Sequence, residues 1–323
     1  MKAIRLHETG GPDVLRLESV PQPKPGPGEI RIRHAAIGVN LIDTYHRSGL
    51  YPVALPSGLG LEAAGTVEEV GPGVTRFQIG DRVGYCSGPL GAYAEAHVVP
   101  ADRAVGLPEH LSPEIAAAAL LKGMTARYLL RKTHPVGQGD VVVIYAAAGG
   151  VGQIACQWAA HLGAVVIGIV GSEAKAEQAR GNGCAHVLVQ GVDDIAKAVR
   201  AVSGGEGARV VYDSVGKNTF LQSLDCLAPM GMLVSFGNAS GPVPAFSPAL
   251  LAERGSLFLT RPTLFHYTRT AALLQETADE LFGVLEAGIV QIAAPGEYAL
   301  ADATQAHRDL HARRTTGSVI LRA

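Results

Sequence analysis

Two patterns of apolar and polar residues divide the chain. Up to about residue 121 the apolar positions fall in short alternating runs, KAIRLH, VLRLESV, EIRIRHAAIGV, GTVEEVG, DRVGYC and AYAEAHVV, and alternation at every second position marks half-buried β-strands. PQPKPGPGE at 21–29 and EVGPGV at 69–74 separate these runs, since proline fixes φ and glycine frees it where a chain reverses. A compact barrel-like β domain is predicted.

From SPEIAAAALLKGMTARYLLRK (112–132) onward the period changes. Short continuous runs, VVVIYA, VVIGIVG, HVLVQ, ARVVYDSV, GMLVSFGN and SLFLTR, alternate with the amphipathic stretches VGQIACQWAAHLG, SEAKAEQARGNG, DDIAKAVRAVSG and TFLQSLDCLAP. Strands that are apolar throughout, separated by helices, predict a parallel sheet covered on both faces, hence a doubly wound α/β fold, and six strands match the dinucleotide-binding count. After Pro262 a helix TAALLQETADELFGVLEAG, a short EYAL, a helix ADATQAHRDLHAR and a last strand SVILR follow. Short β segments are marginal alone, so this tail is expected to complete the first domain. The expected division is a mainly-β catalytic domain over 1–121, a nucleotide domain over 122–261, and a return to the catalytic domain over 262–323.

Composition narrows the partners. The 323 residues are about twice the ~150 that serve one domain, and 47 % apolar residues suffice for two cores. A formal charge of −2 with scattered basic residues gives no footprint for nucleic acid. The longest apolar runs stop well short of the ~20 residues that span a bilayer. MKAIRLHETGG has no apolar segment of the kind an export signal carries, so a cytoplasmic protein acting on small molecules is expected. Cys86, Cys156, Cys184 and Cys226 are far apart and read as small buried thiols, and the eleven histidines show no metal-ligand spacing.

The chemistry begins at AAAGGVGQIA (146–155), directly after VVVIY. Residues 147–152 read A-x-G-x-x-G, with Ala147 where the usual fingerprint has its first glycine. Gly149 lets a pyrophosphate approach the backbone, Gly152 lets the following helix pack against the strand, and the N–H groups of the first helical turn attract phosphate. The pattern stands after the first strand of a six-strand series, the context it requires. An NAD-specific domain usually ends its second strand with an acidic residue. Here that position holds Gly171 and Ser172, with Lys175 one turn on, which suits a 2′-phosphate and so NADPH. Glu173 is read as a first-turn surface charge.

These stretches, together with GVNLIDTYHRSGLYP (38–52), LPSGLGLEAAGTVEEVG, LKGMTARYLLRKT (121–133), VVYDSVG (210–216), SLDCLAPMGMLVSFGNASG (223–241) and GSLFLTRP (255–262), carry a resemblance along the whole chain. The sequence resembles the zeta-crystallin-like NADPH:quinone oxidoreductases of the medium-chain dehydrogenase/reductase superfamily. The resemblance implies a GroES-like catalytic domain built from both chain ends, a Rossmann domain between them, a cleft at their junction and a homodimer. It implies that Asn40, Ile42, Asp43, Tyr45, Thr125 and Tyr128, with Gly150 and Val151, hold the nicotinamide and diphosphate. It likewise implies that Gly171, Ser172 and Lys175 hold the adenosine end, and Val215, Phe236, Gly237, Asn238, Ser240 and Arg313 the far side. Close relatives have a tyrosine against the 2′-phosphate where this chain has Gln190, which can donate a hydrogen bond but offers no aromatic face, so the strength of the NADPH preference stays open. Zinc members of the superfamily ligate with a cysteine near the position of Asn40 and with a G-H-E stretch. This chain reads G-L-E, and Leu61 cannot ligate. No metal is expected, and Glu62 is read as a buried structural carboxylate.

Reduction of a quinone asks for hydride delivery and for stabilisation or protonation of the developing phenolate. Asn40 is the candidate donor to the carbonyl oxygen, and Tyr45 and Tyr51 the candidate proton donors, beside a bland reading as cleft walls. Asp43 is read as an orienting acceptor or helix-start residue. Two alternatives stand beside quinone reduction: reduction of α,β-unsaturated carbonyls, and a non-catalytic, crystallin-like role that only binds NADPH. The dimer is expected through SLFLTR (256–261) as an open sheet edge.

Overall fold

The computed structural model describes residues 1–312 and 314–323. They form two units, Met1–Met124 with Thr268–Phe282 and Ile292–Ala323, and Thr125–Tyr267 with Gly283–Gln291.

The first unit is mainly β. It begins with β1 (Lys2–Leu6), β2 (Arg16–Ser19), β3 (Glu29–Val39), helix α1 (Leu41–Ser48), β4 (Ser57–Gly58), β5 (Glu62–Val70), β6 (Arg82–Tyr85), β7 (Ala96–Pro100), β8 (Ala104–Gly106) and the part of α2 (Pro113–Tyr128) up to Met124. Strand β1 lies between β2 and β4. Strand β3, eleven residues long, pairs antiparallel with β5 and β7 and organises the larger sheet. The alternation read in EIRIRH has its expected cause, for Ile30 and Ile32 are buried and pack with Ile4, Leu6, Val67 and Val99.

The second unit carries β9 (Val141–Tyr145), α3 (Gly150–His161), β10 (Val165–Val170), α4 (Ala176–Gly181), β11 (His186–Val189), α5 (Ile195–Val202), β12 (Ala208–Asp213), α6 (Phe220–Asp225), β13 (Leu227–Ser235), α7 (Ala249–Glu253), β14 (Phe258–Thr260) and α8 (Leu264–Tyr267). The order β11-β10-β9-β12-β13-β14 is parallel throughout, the doubly wound arrangement of a dinucleotide-binding domain. Val142, Val143, Ile144, Val166, Ile167 and Ile169 are buried because helices cover both faces, which is why these strands read as unbroken apolar runs. One boundary differs from the sequence reading. Residues 227–229 begin β13 and do not end α6: Leu227 already pairs with Ala208 of β12, and Met230 at φ 61° lies in the irregularity where the register shifts before Met232 pairs with Val210.

The tail consists of α9 (Ala271–Glu286), β15 (Gly296–Ala299), α10 (Ala303–His311) and β16 (Val319–Arg322). Strand β16 pairs antiparallel with β3 and parallel with β15, so the chain end extends the sheet begun near the chain start. Within the tail, Gly283–Gln291 belongs to the second unit. There the Gln157 amide on α3 donates to Gln291 O at 3.2 Å and accepts the Gln291 N–H at 2.9 Å.

Candidate functional site

In the second unit the predicted residues gather along the carboxyl edge of the parallel sheet. Gly149, Gly150 and Val151 follow β9, Gly171 and Ser172 follow β10, Gln190 follows β11, Val215 follows β12, and Phe236, Gly237, Asn238 and Ser240 follow β13. Ligands of doubly wound sheets bind at this edge.

The turn after β9 is built for close approach. Ala146 holds φ 52°, a left-handed conformation that costs a residue with a Cβ roughly 1–2 kcal/mol, so the strained position falls one residue before Ala147. A Cβ on Gly152 would stand 2.2 Å from Ala146 O and 2.8 Å from the Ala147 Cα, which leaves glycine as the residue that lets α3 seat on the turn. Gly149 caps α3 in extended backbone, and no side chain caps it among the described residues. The first N–H groups of α3 therefore point outward from an uncapped helix start, and an anion is the natural partner.

Beside it, a Cβ on Gly171 would meet nothing within 4 Å, so the end of β10 opens onto free space. Ser172 starts the next turn without using its hydroxyl as a cap. Gln190 donates its backbone N–H to Val170 O at 2.9 Å, and its buried side-chain Oε1 has no hydrogen-bond partner among the described residues. Ser240 has a different job: it donates to Val215 O at 2.8 Å and accepts from the Asn218 N–H at 3.0 Å, clasping the loops after β12 and β13. Asp213 accepts from Val215 N, Gly216 N, Thr219 Oγ1 and Ser223 Oγ, so both carboxylate oxygens are engaged in shaping that loop. In α2, Thr125 and Tyr128 are buried, and Tyr128 stacks on Tyr267 with ring centroids 4.6 Å apart and planes 7° from parallel. Arg313 lies outside the described residues.

Asn40, Ile42, Asp43, Tyr45 and Tyr51 belong to the first unit, at and around α1. The Asn40 backbone N–H donates to Asp43 Oδ2 at 2.8 Å, holding the helix start. The Asn40 amide donates to Glu62 Oε2 at 2.7 Å, Leu121 N donates to Glu62 Oε1 at 2.6 Å, and the Lys122 ammonium lies 3.5 Å from Oε2. Burial pushes the Asp43 carboxyl up to about 7 against the pull of the Asn40 N–H, the Tyr93 hydroxyl and Lys122, and the Glu62 carboxylate adds to the rise. Burial also raises Glu62, with Lys122 the strongest opposing influence. Tyr45 and Tyr51 meet edge-on at 5.3 Å, and the His46 ring lies 5.8 Å from Tyr51.

Tyr93, Arg47, Lys122 and His307 were not singled out from the sequence, and all four are buried around these groups. Tyr93 donates to Asp43 Oδ2 at 2.9 Å and meets His307 Nε2 at 3.0 Å, and Arg47 Nη1 meets His307 Nδ1 at 3.0 Å. The available signal was His307 itself, which shares the 303, 306, 307, 310 stripe of α10 with Ala303, Ala306 and Leu310.

Comparison with known proteins agrees with this geometry. Residues 26–109 match the family model described as alcohol dehydrogenase GroES-like domain, and residues 150–282 match zinc-binding dehydrogenase. A quinone oxidoreductase of Pseudomonas aeruginosa is 51 % identical over 321 residues, covering 99 % of both chains. The chain belongs to the quinone oxidoreductase family of medium-chain dehydrogenases/reductases. The crystal structure of the Escherichia coli quinone oxidoreductase complexed with NADPH has a TM-score of 0.98 at 45 % identity, covering 100 % of both chains. A 2-haloacrylate reductase of a Burkholderia species is 46 % identical, covering 99 % of this chain and 98 % of its own.

The zinc in one family description does not fit the residues present. Leu61 is buried and has no lone pair to give, and the Glu62 carboxylate already accepts from an amide, a backbone N–H and an ammonium. Among the described residues no three His, Cys, Asp or Glu side chains form a group that could hold a metal ion, and no helix is long and apolar enough to cross a membrane.

Proposed function

We infer that the protein is a zinc-independent oxidoreductase that passes reducing equivalents from NADPH to a quinone. The observation that carries this reading is the uncapped, glycine-lined start of α3 on the carboxyl edge of the six-stranded sheet, in a chain 45 % identical to a quinone oxidoreductase whose structure contains NADPH.

The residues suit that cofactor. The N–H groups of Gly150, Val151 and Gly152 and the dipole of α3 take the diphosphate, and Gly149 carries no side chain in its way. Gly171, Ser172, Lys175 and Gln190 receive the adenosine end, where a cation and hydrogen-bonding groups without a carboxylate at the end of β10 favour a 2′-phosphate. Val215, Phe236, Gly237, Asn238 and Ser240, with Arg313, bound the far side, and Asn40, Ile42, Asp43, Tyr45, Thr125 and Tyr128 the nicotinamide side. The functional division we propose is a catalytic domain of 1–121 with 262–323 and an NADPH-binding domain of 122–261, adjusted in that residues up to Tyr267 and Gly283–Gln291 group with the nucleotide-binding unit.

Bound NADPH supplies the hydride, and the chain's residues answer the charge that then grows on the acceptor oxygen. Glu62 takes one N–H of the Asn40 amide, which fixes its orientation and leaves the second N–H for that oxygen. Tyr45 or Tyr51 donates the proton that this oxygen takes up, and the phenolate left behind is reprotonated from solvent. A second reading, reduction of an activated alkene, has support from the 2-haloacrylate reductase among the relatives, since the same cofactor face can deliver hydride to carbon. We further propose a cytoplasmic homodimer joined through Ser256–Arg261.

A panel of quinones and α,β-unsaturated carbonyls, assayed with NADPH and with NADH, tests this reading. Turnover of quinones with NADPH as the better donor is expected. Turnover of alkenes alone would establish the second reading, and saturable NADPH binding without oxidation by any acceptor would leave a crystallin-like binding role.

A further inference from the structure

Four side chains from three distant parts of the first unit meet in its interior: Asp43 and Arg47 on α1, Tyr93 in the loop before β7, and His307 on α10. Asp43, Tyr93 and His307 are fully buried and Arg47 nearly so. A Cβ on Gly60 would stand 2.3 Å from the Tyr93 ring, so that ring is packed where no side chain competes for its place. The imidazole of His307 meets it edge-on at 5.7 Å.

Chemistry fixes the direction of every hydrogen bond here. A guanidinium only donates, so His307 Nδ1 accepts from Arg47 Nη1 across 3.0 Å, while Arg47 Nε donates to Gly10 O at 3.2 Å. Burial, and then the Arg47 charge, holds the His307 pKa down to about 3, so the ring is neutral and its single proton sits on Nε2. That N–H donates to the Tyr93 hydroxyl at 3.0 Å, and Tyr93 passes its own proton into a bond with Asp43 Oδ2 at 2.9 Å. The Asn40 N–H enters the same oxygen at 2.8 Å. Asp43 Oδ1, also buried, has no partner among the described residues.

We propose that Arg47, His307 and Tyr93 are a positioning chain that holds the Asp43 carboxyl with Oδ2 doubly bonded and Oδ1 unclaimed, and thereby sets Asn40 for quinone reduction, an inference that rests on the reading above. A well-packed apolar set would fill the same space without the cost of burying an ionised arginine, so packing alone does not call for these residues. What the polar chain adds is direction: a donor that cannot accept stands at one end, so the protons of His307 Nε2 and the Tyr93 hydroxyl both point toward Asp43. The far end then orders the helix start, because Asp43 holds the Asn40 backbone while Glu62 holds the Asn40 amide.

The groups that face Asp43 are Tyr93 from the loop before β7, Lys122 from α2, Glu62 from β5 and the Asn40 N–H, with Arg47 and His307 behind Tyr93. The Tyr93 hydroxyl pulls the carboxyl pKa down. Tyr93→Phe removes that donor, so Asp43 keeps its proton to higher pH. His307→Gln preserves both ends, since its amide oxygen accepts from Arg47 and its N–H donates to Tyr93. His307→Leu preserves neither.

The test reads the Asp43 carboxyl by infrared difference titration of the full-length protein labelled at aspartate, assigned by its absence in Asp43→Asn, together with quinone turnover under saturating NADPH. Tyr93→Phe is expected to move the Asp43 titration up by about one pH unit, because the carboxylate loses one of its donors. It is expected to lower kcat about tenfold or more with little change in quinone KM. His307→Gln should stay near wild type on both readouts, and His307→Leu should follow Tyr93→Phe. An unmoved carboxyl titration in Tyr93→Phe would overturn the proposal, as would a His307→Gln protein as impaired as His307→Leu. Should His307→Leu not fold, the other two variants still decide. Absence of quinone turnover in the wild type would sink the functional reading alone, and the infrared titration would still judge the chain.

Discussion

Gly149 and Gly152 have opposite duties within one turn. At Gly152 the Cβ position is occupied by the Ala146 carbonyl 2.2 Å away, so any side chain there forces α3 off the strand. At Gly149 the backbone is extended, φ −83° and ψ 173°, which any residue adopts, and the nearest atom to a Cβ is Ala146 O at 3.1 Å. Structure alone therefore tolerates a larger residue at Gly149 with a shift of a few tenths of an ångström. Gly149→Asp separates the two demands. An aspartate at this position would cap α3, and asparagine, aspartate and glycine caps differ in stability by only about a few tenths of a kcal/mol. Its carboxylate would hold the same N–H groups that the diphosphate needs and repel the incoming anion. Calorimetric titration is expected to give an NADPH affinity lower by about 100-fold, roughly 2.7 kcal/mol, with thermal unfolding almost unchanged. Equal affinity in the two proteins would remove the diphosphate from the start of α3.

At the scale of elements, the β–α alternation from β9 onward was legible because two-sided burial writes itself as unbroken valine and isoleucine runs. Strands β4 and β8, with two and three residues, are too short to show any period. The start of β13 was hidden by Pro229 and the left-handed Met230, which interrupt the apolar run. The glycine turn was legible because its residues are neighbours in sequence. The Arg47–His307–Tyr93 chain was not, because its members lie 260 and 214 positions apart and each is unremarkable in its own segment. That chain also leaves a mark on stability. Burial holds His34 on β3 and His307 on α10 down to about 3, so as pH falls below 6.5 the unfolded chain takes up protons that the folded chain refuses. Their contribution to stability is whole above 6.5 and is lost as pH falls toward 3. Asp43 acts in the opposite sense, since a carboxyl raised to about 7 favours the folded state at low pH and loses that contribution as pH rises through 7. Denaturant unfolding of wild type and His307→Gln at pH 7.5 and 5 isolates one of the two histidines. The wild type should lose about 2 kcal/mol more than the variant over that interval. Equal losses would mean that His307 is protonated in the folded protein.

At the scale of the whole molecule, the last strand of the parallel sheet is an edge that calls for a partner. Strand β14 pairs with β13 on one side and ends the sheet on the other, and Phe258 on it is 57 % exposed. Met230, whose N–H bonds Gly255 O at 2.8 Å just before β14, is 66 % exposed. Chains that keep such an edge single protect it with charge, proline or a bulge, and β14 reads Phe-Leu-Thr with none of these inside it. Pairing with the same strand of a second copy would satisfy the backbone groups and bury both apolar side chains, and a two-fold axis makes the contact self-complementary. Phe258→Asp sets two carboxylates against each other across that axis while leaving the outer side of β14 solvated in the single chain. Sedimentation at micromolar concentration is expected to give a dimer for the wild type and a monomer for the variant, with dissociation strengthened by about 100-fold or more, as for loss of a central aromatic anchor. The variant's fold should be retained, because β13 still holds β14 through the register Met232–Phe258, Leu233–Leu259 and Val234–Thr260. A wild-type chain that sediments only as a monomer, or a Phe258→Asp chain that dimerises as well as the wild type, would take the assembly away from this edge.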